Sequence, residues 1–247
     1  MGTLAIMLVR TVEATAFGTN CWVLADAPGE ECLVVDPGFG VVDRLRDVLR
    51  EHRLRPAAVL LTHGHADHVW SVTPVSRTAG EPVAVHVHAA DRYGLDDPLD
   101  RLGPQVRPMI EQLLEPSERW VEPERVVEIG GGPDGAVRLD VAGLALEVHH
   151  APGHTEGSVV FYLPGAVDDA RAEGEGLLLS GDVLFAGSIG RSDLSGGDPA
   201  AMEASLRGVL PRFGDDVVVL PGHGERTTMR RERTTNPYLL QLRGGPR

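Results

Sequence analysis

Apolar residues recur along this chain in two rhythms. Asn20–Ala25 and Glu31–Val35 are short apolar runs joined by Asp26-Ala27-Pro28-Gly29-Glu30, so the pair reads as two hairpin strands around a turn. Asp36-Pro37-Gly38 ends the second run. Over residues 41–53 the rhythm changes: Val41, Leu45, Val48 and Leu49 share one face while Arg44, Arg46, Asp47 and Glu51 fall elsewhere, which predicts an amphipathic helix. Pro56 punctuates, and residues 57–61 are continuously apolar, as expected of a strand buried on both faces. A helix near 71–78 and a strand over 82–87 follow, and the apolar opening, residues 1–9, reads as a first strand.

Residues 91–124 break the pattern. They are acidic, carry prolines at 98, 104, 108, 116 and 123, and read as an excursion of loops and short helices beside a cleft. Strands resume over Val137–Val141 and residues 144–149, 158–163 and 176–180, with a polar loop at 165–175. A helix over 199–210 has Asp198 as its N-cap; a strand at 216–220 and a last helix at 228–233 complete the series. Both halves run from β-rich to helical, which suggests two similar α/β halves packed face to face. No Pro/Gly/Ser-rich linker divides them, so residues 1–247 are taken as a single domain.

Composition narrows the function classes. Thirty-six acidic against 23 basic residues leave a net charge of −13, which repels phosphate backbones and disfavours nucleic acid as the partner. No run reaches the roughly 18 apolar residues of a membrane span, and the opening stretch lacks a basic leader and a cleavage box. Cys21 and Cys32 are too few for a disulfide framework. They lie on successive strands that could bring them face to face, and read as reduced core thiols of a cytoplasmic protein.

The chemistry concentrates in Thr62-His63-Gly64-His65-Ala66-Asp67-His68. On a helix, positions i and i+2 do not face each other, whereas in extended chain they do, so His63 and His65 aim at one point from a strand end. Asp67 and His68, further round the bend, can reach a second point. Imidazole nitrogen and carboxylate oxygen are ligand types zinc accepts. His154, Asp182 and His223 fit the same pattern, each beside glycine and just past an apolar strand, where sites gather in layered α/β folds. Three ligands per metal and one bridging carboxylate would use all seven residues and leave room for a solvent oxygen between two ions.

These residues resemble the metallo-β-lactamase-fold hydrolases. The match runs through Asp36-Pro37-Gly38, residues 62–68, Pro152-Gly153-His154-Thr155, Gly181-Asp182 and Gly222-His223-Gly224. Within that superfamily the chain looks most like the glyoxalase II group, through residues 180–185, 187–193, and 222–224 with Thr227-Thr228 to Asn236-Pro237-Tyr238. The resemblance implies an α+β fold, a four-layer αββα sandwich with the metal site at one edge of the paired sheets. It implies a first metal on His63, His65 and His154 and a second on Asp67, His68 and His223, with Asp182 bridging. The two divalent ions are expected to be zinc, with iron or manganese as alternatives. Arg191 matches a basic position placed against glutathione. Full-length glyoxalase II adds a C-terminal helical domain; here 24 residues follow His223, and Val69-Trp70-Ser71 replaces the glycines usual after the first motif. Trp70 is read as packing.

The expected activity is hydrolysis of a small S-acyl-thiol by a water activated between the metals, with Asp67 and Asp182 catalytic. A thiol leaving group, with a pKa of roughly 8.5, departs without a general acid. His149 and His150, the nearest spare donors, read as structural, and His52, His86 and His88 carry no role. A mono-iron persulfide dioxygenase is the alternative; a lactonase, another esterase or a β-lactamase is weaker. A protein with purely structural metals is disfavoured, because such sites are usually closed and mononuclear.

Overall fold

A computed structural model describes residues 7–114, 119–130, 135–169 and 172–244. Two six-stranded sheets form the frame. One holds β1 (Leu8–Glu13), β2 (Asn20–Ala25), β3 (Glu31–Val35), β4 (Arg55–Leu60), β5 (Ala84–His88) and β6 (Val126–Ile129) in that order. The other runs from β12 (Thr227–Thr228) through β11 (Val218–Pro221), β10 (Ala172–Gly181), β9 (Val159–Asp169) and β8 (Leu144–His150) to β7 (Val137–Val141).

Strand β2 is buried along its whole length, because both of its faces are covered. Trp22 and Leu24 of β2 point between the sheets, where they meet Phe161, Leu177, Leu179 and Leu220; Cys21, Val23 and Ala25 point the other way, against helix α1 (Val42–His52). Short helices α2 (Ala66–Val69) and α3 (Val72–Ser76) cover the same outer face. On the far sheet, Val160, Leu178 and Val219 turn outward onto α5 (Pro199–Gly208), α6 (Met229–Thr235) and α7 (Pro237–Gly244). Helix, sheet, sheet, helix is the expected four-layer metallo-β-lactamase sandwich. Asp198 caps α5 as expected, accepting from the amides of Ala200 and Ala201 at 2.8 and 3.1 Å.

Several boundaries differ from the sequence reading. The first strand is Leu8–Glu13, and most of the predicted 1–9 strand lies outside the described residues. β4 starts ahead of Pro56, which an irregularity in its pairing with β3 accommodates. Most of the polar stretch 165–175 is strand rather than loop: β9 runs to Asp169 and β10 starts at Ala172, pairing Val167 with Gly174 and Asp169 with Ala172, while residues 170 and 171 lie outside the described residues. Main-chain pairing needs no apolar side chains, so composition misled there. Cys21 and Cys32 are both free and buried, but Cys32 pairs with Ala25, so the two do not face each other across the hairpin. β6 and α7 are additions. Excursion 91–124 contains helix α4 (Gly103–Leu113), which seats Ile110 in a small cluster with Phe39, Ala66 and Trp70. Trp70 is packing, as expected, stacked on Phe39 at 4.7 Å. No described helix is long and apolar enough to cross a membrane.

Candidate metal centre

All seven predicted ligands meet at one edge of the sandwich. His63 follows β4, His154 follows β8, Asp182 follows β10 and His223 follows β11, while Asp67 and His68 lie on α2. Three overlapping groups have ligand atoms within 4.8 Å of one another: His63, His65 and His154; His63, His68 and Asp182; Asp67, His68 and His223. Gly222 permits the closeness, because a Cβ there would collide with the Asp182 carboxylate and the His68 ring.

Hydrogen bonds settle which ring nitrogens face the centre. Asp36, buried at a left-handed φ of 52°, accepts from the Thr62 amide (2.8 Å), the Thr62 hydroxyl (2.6 Å) and His68 Nδ1 (3.0 Å). Since the Thr62 hydroxyl spends its proton on Asp36, it accepts from His63 Nδ1 at 3.0 Å. His154 Nδ1 donates to the Arg191 carbonyl at 2.7 Å. Each of these bonds turns an Nε2 lone pair inward. His65 Nδ1 then lies 2.8 Å from His154 Nε2, and His68 Nε2 lies 3.2 Å from His223 Nε2.

Two buried atoms are left over. His63 Nε2 has no partner, and Asp182 Oδ1, though 3.3 Å from His68 Nε2, makes no aligned hydrogen bond. An orphaned buried polar atom costs about 1–3 kcal/mol, and a cation would satisfy both. The donor set therefore fits divalent metals of the imidazole- and carboxylate-binding kind.

The protein's own electrostatics divide the cluster. Burial, then the neighbouring imidazoles, push His63 well down and His65 down to about 4. On the other side burial also opposes the charged ring, but Asp182 and Asp67 outweigh it, so His68 is raised and His223 reaches about 9. Burial likewise opposes the charged carboxylates, yet His68 and His223 hold Asp182 far below its usual range and Asp67 at about 2.

Supporting residues that the sequence did not reveal hold the loops. Asp91, first residue of the excursion, is fully buried and accepts from the amides of Gly64 (2.9 Å) and Gly157 (2.7 Å) and from Thr155 Oγ1 (2.6 Å), tying the His63 and His154 loops together. Thr19 Oγ1 donates to Asp67 Oδ2 at 3.1 Å. Across the sheets, the Asn20 amide and Trp22 Nε1 donate to the carbonyls of Gly222 (2.7 Å) and Pro221 (3.0 Å) and fix the His223 loop. Asp36 stood out as an acid after a strand and as part of the Asp36-Pro37-Gly38 match, without its bonds to Thr62 and His68. Asp91 carried no local signal.

The other predicted residues sit apart. Arg191 lines the cleft, but its guanidinium is exposed and forked onto Asp193 at 2.7 and 2.8 Å. The glyoxalase-like stretches around it form a buried network: Glu232 accepts from the Gly187 amide, Thr227 Oγ1 and Asn236 Nδ2, and Asn236 donates to the Ser188 carbonyl. His149 pairs with Glu147, His150 stacks on His88 at 4.2 Å, and neither joins the cluster. The cleft over the cluster has a volume of about 560 Å³. A larger cavity of about 940 Å³, beyond Phe17 and Phe39, touches none of the seven residues, so size does not identify the site.

Residues 14–223 match the family model for the metallo-beta-lactamase superfamily. The chain belongs to that superfamily. Among similar proteins, the hydroxyacylglutathione hydrolase GloC of Haemophilus influenzae is 30% identical over 236 residues, covering 94% of this chain and 98% of its own. Two solved structures superpose along nearly the whole length. TTHA1623 in a di-iron-bound form is 32% identical, with TM-score 0.71 over 94% of this chain and 100% of the other. BLEG-1, a B3 metallo-beta-lactamase, is 30% identical, with TM-score 0.70 over 94% and 99%. The chain is thus a metallo-hydrolase of the metallo-beta-lactamase superfamily, with a candidate His/Asp metal site.

Proposed function

We propose that this metallo-hydrolase cleaves small S-acyl-thiol thioesters. His63, His65 and His154 hold one divalent cation and Asp67, His68 and His223 the other, with Asp182 shared and zinc the expected metal. The observation that carries the reading is the pair of orphaned buried atoms, His63 Nε2 and Asp182 Oδ1, inside a cluster whose other ring nitrogens are already oriented by Asp36, Thr62 and the Arg191 carbonyl. Cations bound there would supply carbonyl polarisation and a water of lowered pKa.

The chain's own residues do the rest. Asp67, braced by Thr19, presents a carboxylate oxygen that would orient the attacking hydroxide. Asp182 keeps the two halves in register. The departing thiol, with a pKa of roughly 8.5, leaves as thiolate, which suits a cleft whose described lining holds no histidine outside the cluster. Arg191, on the rim, contacts the polar thiol portion. The similarity to GloC supports the acyl-thiol class.

Elemental analysis and a substrate panel test this together. Two metals per chain with hydrolysis of acyl thiols, S-lactoylglutathione among them, supports the reading. Silence on every thioester by metal-replete protein overturns it. One iron per chain with oxygen uptake on glutathione persulfide would replace it by a dioxygenase, and turnover of β-lactams alone would replace it by a lactamase.

A further inference from the structure

We infer that the acyl group this cleft accepts is apolar and of medium length, and that Phe17 is the side chain that selects it; the inference rests on the thioesterase reading. The first observation is the lining. Beyond the ligand cluster the described wall presents Phe17, Leu102, Val106, Phe185 and Leu194 to the cleft, joined by the rings of Tyr93 and Pro98. Phe17, Val106 and Leu194 are 60%, 42% and 41% exposed, and they account for three of the nine large apolar side chains that the described surface leaves open. Apolar surface held in water at the mouth of a reactive site gains free energy when a substrate covers it.

The second observation is charge. The chain contains no lysine, and Arg191 is the one arginine among the described lining residues. Its fork is already taken by Asp193, so the pair adds no net charge, and the lining acid Asp97 is held by Arg107 at 2.7 Å. A thiol bearing two free carboxylates finds no unpaired arginine among the described lining residues. A neutral or weakly charged thiol does not need one.

The third observation is strain. Phe17 adopts φ 66°, in the left-handed region that bulky side chains avoid. Its ring is nevertheless held at the cleft, 5.5 Å from Phe39, which stacks on Trp70. A strained backbone that places an exposed phenyl ring beside a reactive centre points to a positional demand. The cleft's volume of about 560 Å³ leaves space for an acyl chain well beyond two or three carbons.

The test uses full-length, metal-replete protein with acetyl, butyryl, hexanoyl and octanoyl thioesters of N-acetylcysteamine, beside lactoyl and octanoyl glutathione. Each methylene that the wall covers should raise kcat/KM about fourfold. Octanoyl-N-acetylcysteamine should exceed octanoyl glutathione. Phe17→Gly removes the ring and the backbone strain together, so it should fold; it should lower the octanoyl-to-acetyl ratio about tenfold while metal content stays unchanged. A flat or falling acyl series, a preference for the lactoyl or glutathione form, or an unaltered ratio in Phe17→Gly overturns the inference. If no thioester turns over, the thioesterase reading fails, and the wall is then read by calorimetry with the S-octyl and S-ethyl thioethers of N-acetylcysteamine. Tighter octyl binding supports the apolar assignment, and equal affinity overturns it.

Discussion

The two halves of the cluster differ in what stands behind their ligands. His63, His65 and His154 form an all-imidazole half, braced by a hydroxyl and a main-chain carbonyl, in which burial pushes His63 and His65 down. Asp67, His68 and His223 form a mixed half in which carboxylates hold the rings in their charged form. A cation would meet the unpartnered Nε2 of His63 in the first half and would have to displace protons in the second. The first half would thus draw a cation by shape and the second by charge, and Asp182 and Asp36 reach both.

The largest expected effect comes from removing the shared carboxylate. Asp182→Ala should lower kcat/KM by roughly three orders of magnitude and leave no more than one tightly held metal per chain, read by steady-state kinetics and elemental analysis. Near-normal turnover with two metals would show that the halves do not depend on a bridge.

Next comes the shared brace. Asp36→Ala frees His68 directly and His63 through Thr62, so metal affinity should fall about 10–100-fold in both halves, measured by chelator competition. Thr62→Val cuts only the His63 branch, because the Thr62 amide still donates to Asp36. It should weaken the first half about tenfold and leave the second unchanged. Equal weakening of both halves by Thr62→Val would collapse the distinction between them.

How far the sequence reaches follows from the range of each interaction. The seven residues of the cluster were legible because the strand ends that carry them are marked by apolar runs and glycines, and because the 63–68 spacing makes sense only in extended chain turning into a bend. The double-sided burial of β4 was legible in the unbroken hydrophobicity of residues 57–61. Asp91 was not, since its partners Gly64, Thr155 and Gly157 lie 27 to 66 residues away and its own neighbourhood looks like the start of a polar excursion. The strand pairing within 165–175 was missed because it is main-chain work with no hydrophobic trace. Arg191 shows the converse: the sequence marked the residue, but only the structure shows that its carbonyl orients His154 while its guanidinium is engaged by Asp193.

The smallest effect tests the mixed half alone. Thr19 Oγ1 donates to Asp67 Oδ2 at 3.1 Å, on the partly exposed side of the cluster beside His223, which stands 3.3 Å from the same oxygen. Thr19→Val keeps the shape and removes one donor, at a cost of about 1 kcal/mol. Because Asp67 is also proposed to orient the attacking water, the loss should appear as a roughly fivefold fall in kcat with two metals still bound. A loss of metal instead would mean that Thr19 serves Asp67 as a ligand brace, as Thr62 serves His63. The two halves would then be built on one plan, differing only in whether the braced group is a ring or a carboxylate.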